Sequence, residues 1–505
     1  LDPAIFVRRT KEGNREALPI LRNLTMYDNP VALHVLIDRF KGGYQNAGGY
    51  LKPIFNSRVL VLRHDHLERG LSGEALRNKL TALSFNNHPI VLYGFFIARE
   101  NFGDLAAMIF AELSRQAQGK GLTLHAFLKS QDPHKLFYRD FILEAANFNL
   151  LDRIVIEHDV FYEVMDEIFK NLPQNEIIPW ALRLGLFFED ILHNKSFPYQ
   201  KEFQHYLRKL YDQTGGIRRH LIASLLAVYR NELAYLSQAD IDKIVKERYI
   251  KPQPPKRIPY QKLLKDFKLR AHIVFADKDA QEGHFETTKE FFQSRGYTVL
   301  KDGNTKITLN KGNVELVLIK AAIQEYNIDE HLSEASVIIS RSHAGSESRV
   351  FKNQPVSSKF HFIGLLSACR SATVIGKASQ DYRNAEFIGV RGVAEGLQTN
   401  WITYYLLEGL SRRIPEFLQL GKFIKDKLDK AIAKNHVLPG DPAEQVLVYV
   451  RTYQEKDKTS NYNPQGRINI SAAIPFFGVL FTTQRFSGRI DRRRVISCGM
   501  SGRAE

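Results

Sequence analysis

Two short stretches decide the predicted fold: Val337-Ile-Ile-Ser-Arg-Ser-His-Ala-Gly345 and Leu365-Leu-Ser-Ala-Cys-Arg-Ser-Ala372. In each case an apolar run that is typical of a buried strand, residues 337–340 in the first and residues 362–367 in the second, passes into a polar turn. The first turn contains His343 and the second contains Cys369. The carboxyl ends of parallel strands lie at one edge of a sheet, where functional groups gather. If the two strands are neighbours, His343 and Cys369 emerge side by side at that edge.

The chain around these stretches alternates between apolar runs and amphipathic segments. This alternation is typical of an α/β fold, in which a mostly parallel sheet is covered by helices on both faces. Further strands are predicted at residues 271–276, 297–300, around Ile307, 314–319 and 387–390, and helices at residues 281–295, 398–412 and 416–434.

A proline-rich segment, Lys251-Pro-Gln-Pro-Pro-Lys-Arg-Ile-Pro259, comes before this α/β block. Proline disfavours helix, so the segment is predicted to be an extended linker. Ahead of it the chain is mostly helical in pattern, and Ser237 occupies an N-cap position. Two apolar runs, Arg58-Val-Leu-Val-Leu-Arg63 and Pro89-Ile-Val-Leu-Tyr93, are interpreted as buried strands. We therefore expect a small α/β unit at the start, followed by a helical region.

The expected organisation has five segments: a small α/β or mixed region over residues 1–135, a helical region over 136–250, the linker over 251–260, the α/β domain over 261–440 and a C-terminal extension over 441–505. The extension contains an apolar run, Val446-Leu-Val-Tyr-Val450, that is interpreted as a strand. Its end is rich in arginine, which is typical of a solvated terminus; a nucleic-acid-binding arm is the alternative. These arginines are Arg485, Arg489, Arg492, Arg493, Arg494 and Arg503.

Composition excludes several classes of protein. The two cysteines, Cys369 and Cys498, are too few for a disulfide framework or a zinc cage, so we expect a reducing, cytoplasmic setting and no metal or other cofactor. No stretch predicts a signal peptide or a transmembrane helix. No phosphate-binding loop of the Gly-x-x-x-x-Gly-Lys-[Ser/Thr] type is present, which argues against an ATPase. Because the chain begins at Leu1, we expect a processed, trimmed or partial sequence.

The two quoted stretches resemble the motifs of the caspase-like cysteine peptidases, the clan of caspases, separases, legumains, gingipains and CHAT-domain proteases. That clan has its histidine after a strand and its cysteine in an apolar-apolar-x-Ala-Cys turn. The resemblance covers residues 265–435 and implies a caspase-like fold and a His343–Cys369 dyad. It also implies that the backbone N–H groups of Gly345 and Cys369 bind the oxyanion.

Two positions depart from the clan's pattern, and they bear on specificity. Ala344 follows the histidine where most members have glycine, and Ser367-Ala368 differs from the corresponding pairs of caspases and metacaspases. Acidic residues near the substrate pocket would favour Arg or Lys before the cut, through charge pairing. Such acids are available after the first strand and after the cysteine, although capping a helix is the commoner role for Asp after a strand. The candidates are Asp277, Asp279, Asp381 and Glu386.

Three functions remain open on the sequence alone. The first is a cysteine endopeptidase that acts on protein substrates and is regulated by its N-terminal region. The second is a non-catalytic scaffold on a caspase-like fold. The third is a nucleic-acid-associated protein that uses basic surfaces, since the net charge of +16 attracts polyanions. A regulatory protein partner is compatible with the first and the second.

Overall fold

The computed structural model describes residues 17–26, 29–98, 101–248, 256–276, 278–321, 328–342, 360–392 and 394–460. The helices of the first half are α1 Ala17–Met26, α2 Pro30–Lys41, α3 Gln45–Arg69, α4 Gly73–Leu83, α5 Pro89–Phe96, α6 Gly103–Gly119, α7 Leu124–Gln131, α8 Tyr138–Asn147, α9 His158–Met165, α10 Ile177–His193, α11 Gln200–Gln213, α12 Gly216–Val228 and α13 Gln238–Glu247. We call the described residues from 17 to 248 the helical region.

The helical region contains no strand among its described residues, so both strands predicted there are wrong. Residues 58–63 lie inside α3, and residues 89–93 form most of α5, with Pro89 in its first turn, where proline fits well. Every residue of α5 after Pro89 is buried. A helix that is covered on all sides is apolar on all sides. Its sequence therefore does not alternate between apolar and polar residues with the period of a helix, and it has the same pattern as a buried strand.

The predicted cap of α13 is confirmed. The hydroxyl oxygen of Ser237 accepts a hydrogen bond of 3.1 Å from the backbone N–H of Asp240, which satisfies one of the free donors at the helix start. Residues 251–255 of the predicted linker lie outside the described residues. Residues 256–260 are not a free spacer, because the backbone N–H of Ile258 donates to the carbonyl oxygen of Pro415 at 2.9 Å and a short helix begins at Tyr260.

The second half contains a nine-stranded sheet with helices on both faces, so the expected α/β class is confirmed at this level. The strands are β1 Leu264–Lys265, β2 Lys268–Phe275, β3 Thr298–Lys301, β4 Lys306–Lys311, β5 Val314–Lys320, β6 Val337–Arg341, β7 Phe362–Ser367, β8 Ala385–Val390 and β9 His436–Val437. The helices are α14 Tyr260–Leu263, α15 Lys278–Ser294, α16 Ile328–Glu334, α17 Ala372–Asp381, α18 Gly396–Ser411, α19 Phe417–Lys427, α20 Lys430–Lys434 and α21 Pro442–Ser460.

The order of strands across the sheet is β3-β4-β5-β2-β6-β7-β8-β9, and β1 pairs with β2. The five central strands, β5, β2, β6, β7 and β8, are parallel, whereas β1, β3, β4 and β9 pair with their neighbours in the antiparallel sense. Strands β6, β7 and β8 are buried along their whole length, which explains their continuous apolar sequences.

Successive residues of the central strands point to opposite faces of the sheet and enter two different cores. Ile339 and Leu365 contribute to a core that lies within the second half, together with residues of α15, α18 and α19. Ile338 and Leu366, each one residue away, contribute to a core that continues through α17 into the helical region. We call these the local face and the shared face of the sheet.

Helix α21 contributes to the shared face. Residues 446–450, which were predicted to form a strand, lie within this helix, and Val446 and Val450 are buried in the shared core. The described residues up to Asp457 form one compact unit. Within the described part of the chain, no helix is both long and apolar enough to cross a membrane. The arginines of the tail lie outside the described residues.

Candidate active site

The strands that precede His343 and Cys369 are neighbours, as the sequence analysis requires. β6 and β7 are parallel, and the last residue of β6, Arg341, is in register with the last residue of β7, Ser367. Both strands therefore end at the same level, at the carboxyl edge of the sheet. His343 and Cys369 each follow two residues later in the sequence. His343 itself lies outside the described residues, as do Asp277, Gly345 and the side chain of Asp279.

Cys369 lies in a tight connection between β7 and α17. The next residue, Arg370, has a positive φ of 55°, a conformation that turns the backbone sharply and is uncommon for residues other than glycine. Ser371 stabilises this turn, because its hydroxyl group donates to the carbonyl oxygen of Leu366 and accepts from the N–H of Val390 at 2.9 Å. The connection is therefore fixed against both β7 and β8.

Two groups of the described residues donate hydrogen bonds to the sulfur of Cys369. One is Nη1 of Arg63, which belongs to α3 of the helical region, and the other is the backbone N–H of Ala394, at 3.3 Å. The second guanidinium nitrogen of Arg63 donates to the carbonyl oxygen of Ala394 at 3.3 Å. A neighbouring guanidinium group stabilises a thiolate relative to a thiol, and so does the start of a helix, which α17 provides three residues after the cysteine.

The residue after the cysteine is held by the helical region. The Arg370 guanidinium forms an ion pair of 2.6 Å with Glu144 of α8, and both side chains are buried. The guanidinium also lies over the ring of Phe148, 4.9 Å from its centroid. The backbone N–H of Arg370 donates to the carbonyl oxygen of Gly392 at 2.7 Å. The helical region therefore contacts this edge through Arg63 at the sulfur and through Glu144 at the next residue.

Arg341, at the end of β6, is buried in a polar pocket beneath the same edge. Its guanidinium donates to the hydroxyl oxygen of Thr288, to the side-chain carbonyl oxygen of Asn400 at 3.1 Å and to the carbonyl oxygen of Gly396 at 2.6 Å. None of these partners is a carboxylate, and burial lowers the pKa of Arg341 to about 9. This network fixes the end of β6, two residues before His343.

Two of the four candidate pocket acids lie away from this edge. Glu386 is in register with Ile363, near the start of β7, and forms an ion pair with Lys256. Asp381 ends α17, which runs back from the cysteine towards the start of β8, and burial raises its pKa. The structure therefore does not bring Glu386 or Asp381 together with Cys369. Asp277 and Asp279 follow β2, whose last residue, Phe275, is in register with Arg341.

The sequence analysis did not find the contribution of the helical region to the site. Arg63 is separated from Cys369 by 306 positions along the chain, and no motif surrounds either Arg63 or Glu144. The run that contains Arg63 was interpreted as a strand, which assigned this arginine to the wrong kind of element. Among the described residues, no group of three or more His, Cys, Asp or Glu side chains is placed to hold a metal ion.

Comparisons with protein-family models, with curated proteins and with solved structures find no match to this chain.

Proposed function

We propose that the protein is a cysteine endopeptidase of the caspase-like type, in which His343 and Cys369 form the catalytic dyad. The observation that carries the proposal is the register of β6 and β7, whose last residues, Arg341 and Ser367, are paired in neighbouring parallel strands. His343 follows Arg341 by two positions, and Cys369 follows Ser367 by two positions. Both residues therefore come after strands that end at the same level of one sheet edge. The tight turn at Cys369 and the donors at its sulfur add the environment that a thiolate requires.

The proposed reaction has two steps. In the first, the imidazole of His343 takes the thiol proton, and the sulfur of Cys369 attacks the carbonyl carbon of the peptide bond. The N–H groups of Cys369 and Gly345 bind the negative oxygen of the tetrahedral intermediate. The intermediate collapses as the imidazolium gives its proton to the departing amine. In the second step, water, deprotonated by His343, hydrolyses the thioester and regenerates the thiol.

The proposed substrates are proteins with Arg or Lys before the cut. Of the four candidate acids, only Asp277 and Asp279 follow a strand that ends at the level of the dyad strands. A carboxylate at that position would pair with a basic side chain of the substrate. We therefore assign the proposed preference to these two residues, and not to Asp381 or Glu386.

Peptide cleavage by single variants tests the dyad. We expect Cys369→Ala to abolish cleavage of peptides that carry Arg or Lys before the cut, because no nucleophile remains. We expect His343→Ala to lower the cleavage rate by about 10²-fold or more, because proton transfer contributes at least that factor. Cys498→Ala is the control and should cleave at the wild-type rate. Cleavage that survives Cys369→Ala would exclude this cysteine as the nucleophile.

A non-catalytic caspase-like scaffold is the second candidate, and one observation favours it. Cys369 is only 4% exposed, and its sulfur is already bonded to Arg63. In a scaffold, this contact would be a permanent part of the interface between α3 and the sheet edge. A partner would then bind elsewhere, for example an acidic protein or a nucleic acid attracted by the net charge of +16.

A further inference from the structure

Arg63 lies directly against the sulfur of Cys369, the atom that a substrate would have to reach. The guanidinium bridges two acceptors, the sulfur and the carbonyl oxygen of Ala394, through its two terminal nitrogens. A reacting carbonyl carbon must come within about 3–3.5 Å of the attacking atom. Among the described residues, Arg63 and the N–H of Ala394 already lie within hydrogen-bonding distance of the sulfur, and Cys369 is 4% exposed.

We propose that Arg63 is an autoinhibitory latch, which keeps the activity of the peptidase low until its side chain leaves the sulfur. This inference rests on the proposed function and names how that same site is regulated. The latch has two effects. The guanidinium covers the sulfur, and its positive charge favours the thiolate over the thiol. Without the latch, the sulfur loses this charge but becomes accessible, and access is the larger effect.

The latch opens by rotation of one side chain and does not need the helix to move. Val59 and Leu62, on the same helix as Arg63, are fully buried in the shared core and anchor α3. The Arg63 side chain itself is only half-buried. The ion pair of Arg370 with Glu144 holds the neighbouring backbone in place independently. A change confined to Arg63 is therefore expected to expose Cys369 without unfolding the protein.

The latch requires the two terminal nitrogens of the guanidinium, which lie in one plane and bond to two acceptors at once. An ammonium group has the same charge but cannot bridge two acceptors in a fixed plane. Arg63→Lys keeps the charge near the sulfur while weakening the bridge, and Arg63→Gln removes the charge and keeps part of the length. Arg69→Ala is the matched control, because Arg69 lies on the same helix, pairs with Asp65 and has a side chain that is 67% exposed.

The test measures two rates in the full chain with Cys498→Ala, so that Cys369 is the one remaining thiol. The first is alkylation of Cys369 by iodoacetamide, followed by mass spectrometry. The second is cleavage of a peptide with arginine before the cut. We expect Arg63→Ala and Arg63→Gln to raise both rates by about tenfold or more, Arg63→Lys to raise them less, and Arg69→Ala to change neither. Thermal melting checks that each variant remains folded.

The outcomes separate the latch from the proposed function. Alkylation that is unchanged or slower in both Arg63→Ala and Arg63→Gln would overturn the latch, whatever the cleavage assay gives. Faster alkylation without cleavage in any variant would keep Arg63 as the cover of Cys369 and would overturn the peptidase. Faster cleavage that disappears on adding Cys369→Ala supports both.

Discussion

The two faces of the sheet are covered by parts of the chain that lie at very different distances in the sequence. The local face is covered by α15, α18 and α19. These three helices belong to the second half of the chain, as do the strands on which they pack. On the shared face, α17 lies between the strands and α10 of the helical region, and the core continues through the first half of the molecule. The local face completes an α/β layer. The shared face joins that layer to a second region and brings Arg63 to Cys369.

The helices of the shared face include close backbone contacts. A side-chain carbon added at Gly376 of α17 would lie 2.4 Å from the carbonyl oxygen of Pro179 in α10, and one added at Gly185 of α10 would lie 2.8 Å from the Cα of Ala443 in α21. The local face has a contact of the same kind at Gly421 of α19, whereas the exposed Gly283 of α15 has nothing within 4 Å. At Gly376 and Gly185, therefore, one added methyl group has no space.

Of the changes that test the shared face, Glu144→Ala is expected to have the largest effect on the free energy of unfolding. This change leaves the buried guanidinium of Arg370 without its carboxylate, and breaking a buried pair costs about 3–5 kcal/mol. The free energy of unfolding, measured by urea denaturation, should fall by that amount. Arg115→Ala is the control, since Arg115 is 71% exposed in its pair with Glu112 and should cost less than about 1 kcal/mol. Equal losses in the two variants would contradict the role of the shared face.

A smaller effect is expected from Gly376→Ala. The added methyl group forces α17 and α10 apart, and such overpacking costs about 1–3 kcal/mol. Gly283→Ala, in a helix of the local face with open space around it, should instead stabilise the protein by about 0.5–1 kcal/mol. Urea denaturation of both variants measures the difference. Stabilisation by both substitutions would show that the contact at Pro179 relaxes without cost.

The smallest effect concerns pH. Burial raises the pKa of Asp190 to about 6, and Arg391 at 3.5 Å opposes this shift only in part. A carboxyl group whose pKa is higher in the folded state than in the unfolded state binds more protons when folded. Its contribution to stability is therefore lost as the pH rises from about 4 to about 6. Because the side chain is 23% exposed, we expect the loss to be about 1–2 kcal/mol.

The Asp190→Asn variant isolates this contribution. The free energy of unfolding of the wild type minus that of the variant should fall as the pH rises from 4 to 7. A difference that is constant, or that rises with pH, would show that Asp190 is already ionised in the folded protein at low pH.

The burial of an element also determines whether its type could be predicted from the sequence. β7 was predicted at its observed bounds, Phe362–Ser367, and β6 to within one residue, because strands buried between two layers are short and apolar throughout. The same signature failed at residues 58–63, 89–93 and 446–450. All three lie in helices that pack into the shared core, where a short apolar run gives no period to distinguish a helix from a strand.

For the candidate site, the sequence could identify the cysteine and its strand but not what lies against them. Cys369 follows its strand directly, so a local pattern places it at the sheet edge. Arg63 and Glu144 reach the same edge only through the packing of the helical region on the shared face. Packing between segments this far apart leaves no short motif, and an isolated arginine or glutamate in a helix is usually interpreted as a surface residue.

The contact between Gly185 and Ala443 also determines when the molecule can finish folding during its synthesis. Roughly 250 residues are added between these two positions, which takes about 10–50 s at ribosomal rates of about 5–20 residues per second. During that interval α10 has left the ribosome, but the helices that cover it, α17 and α21, have not yet formed. The nascent chain therefore carries an apolar surface that only its own last third can cover, and this surface is where we expect a chaperone to bind first.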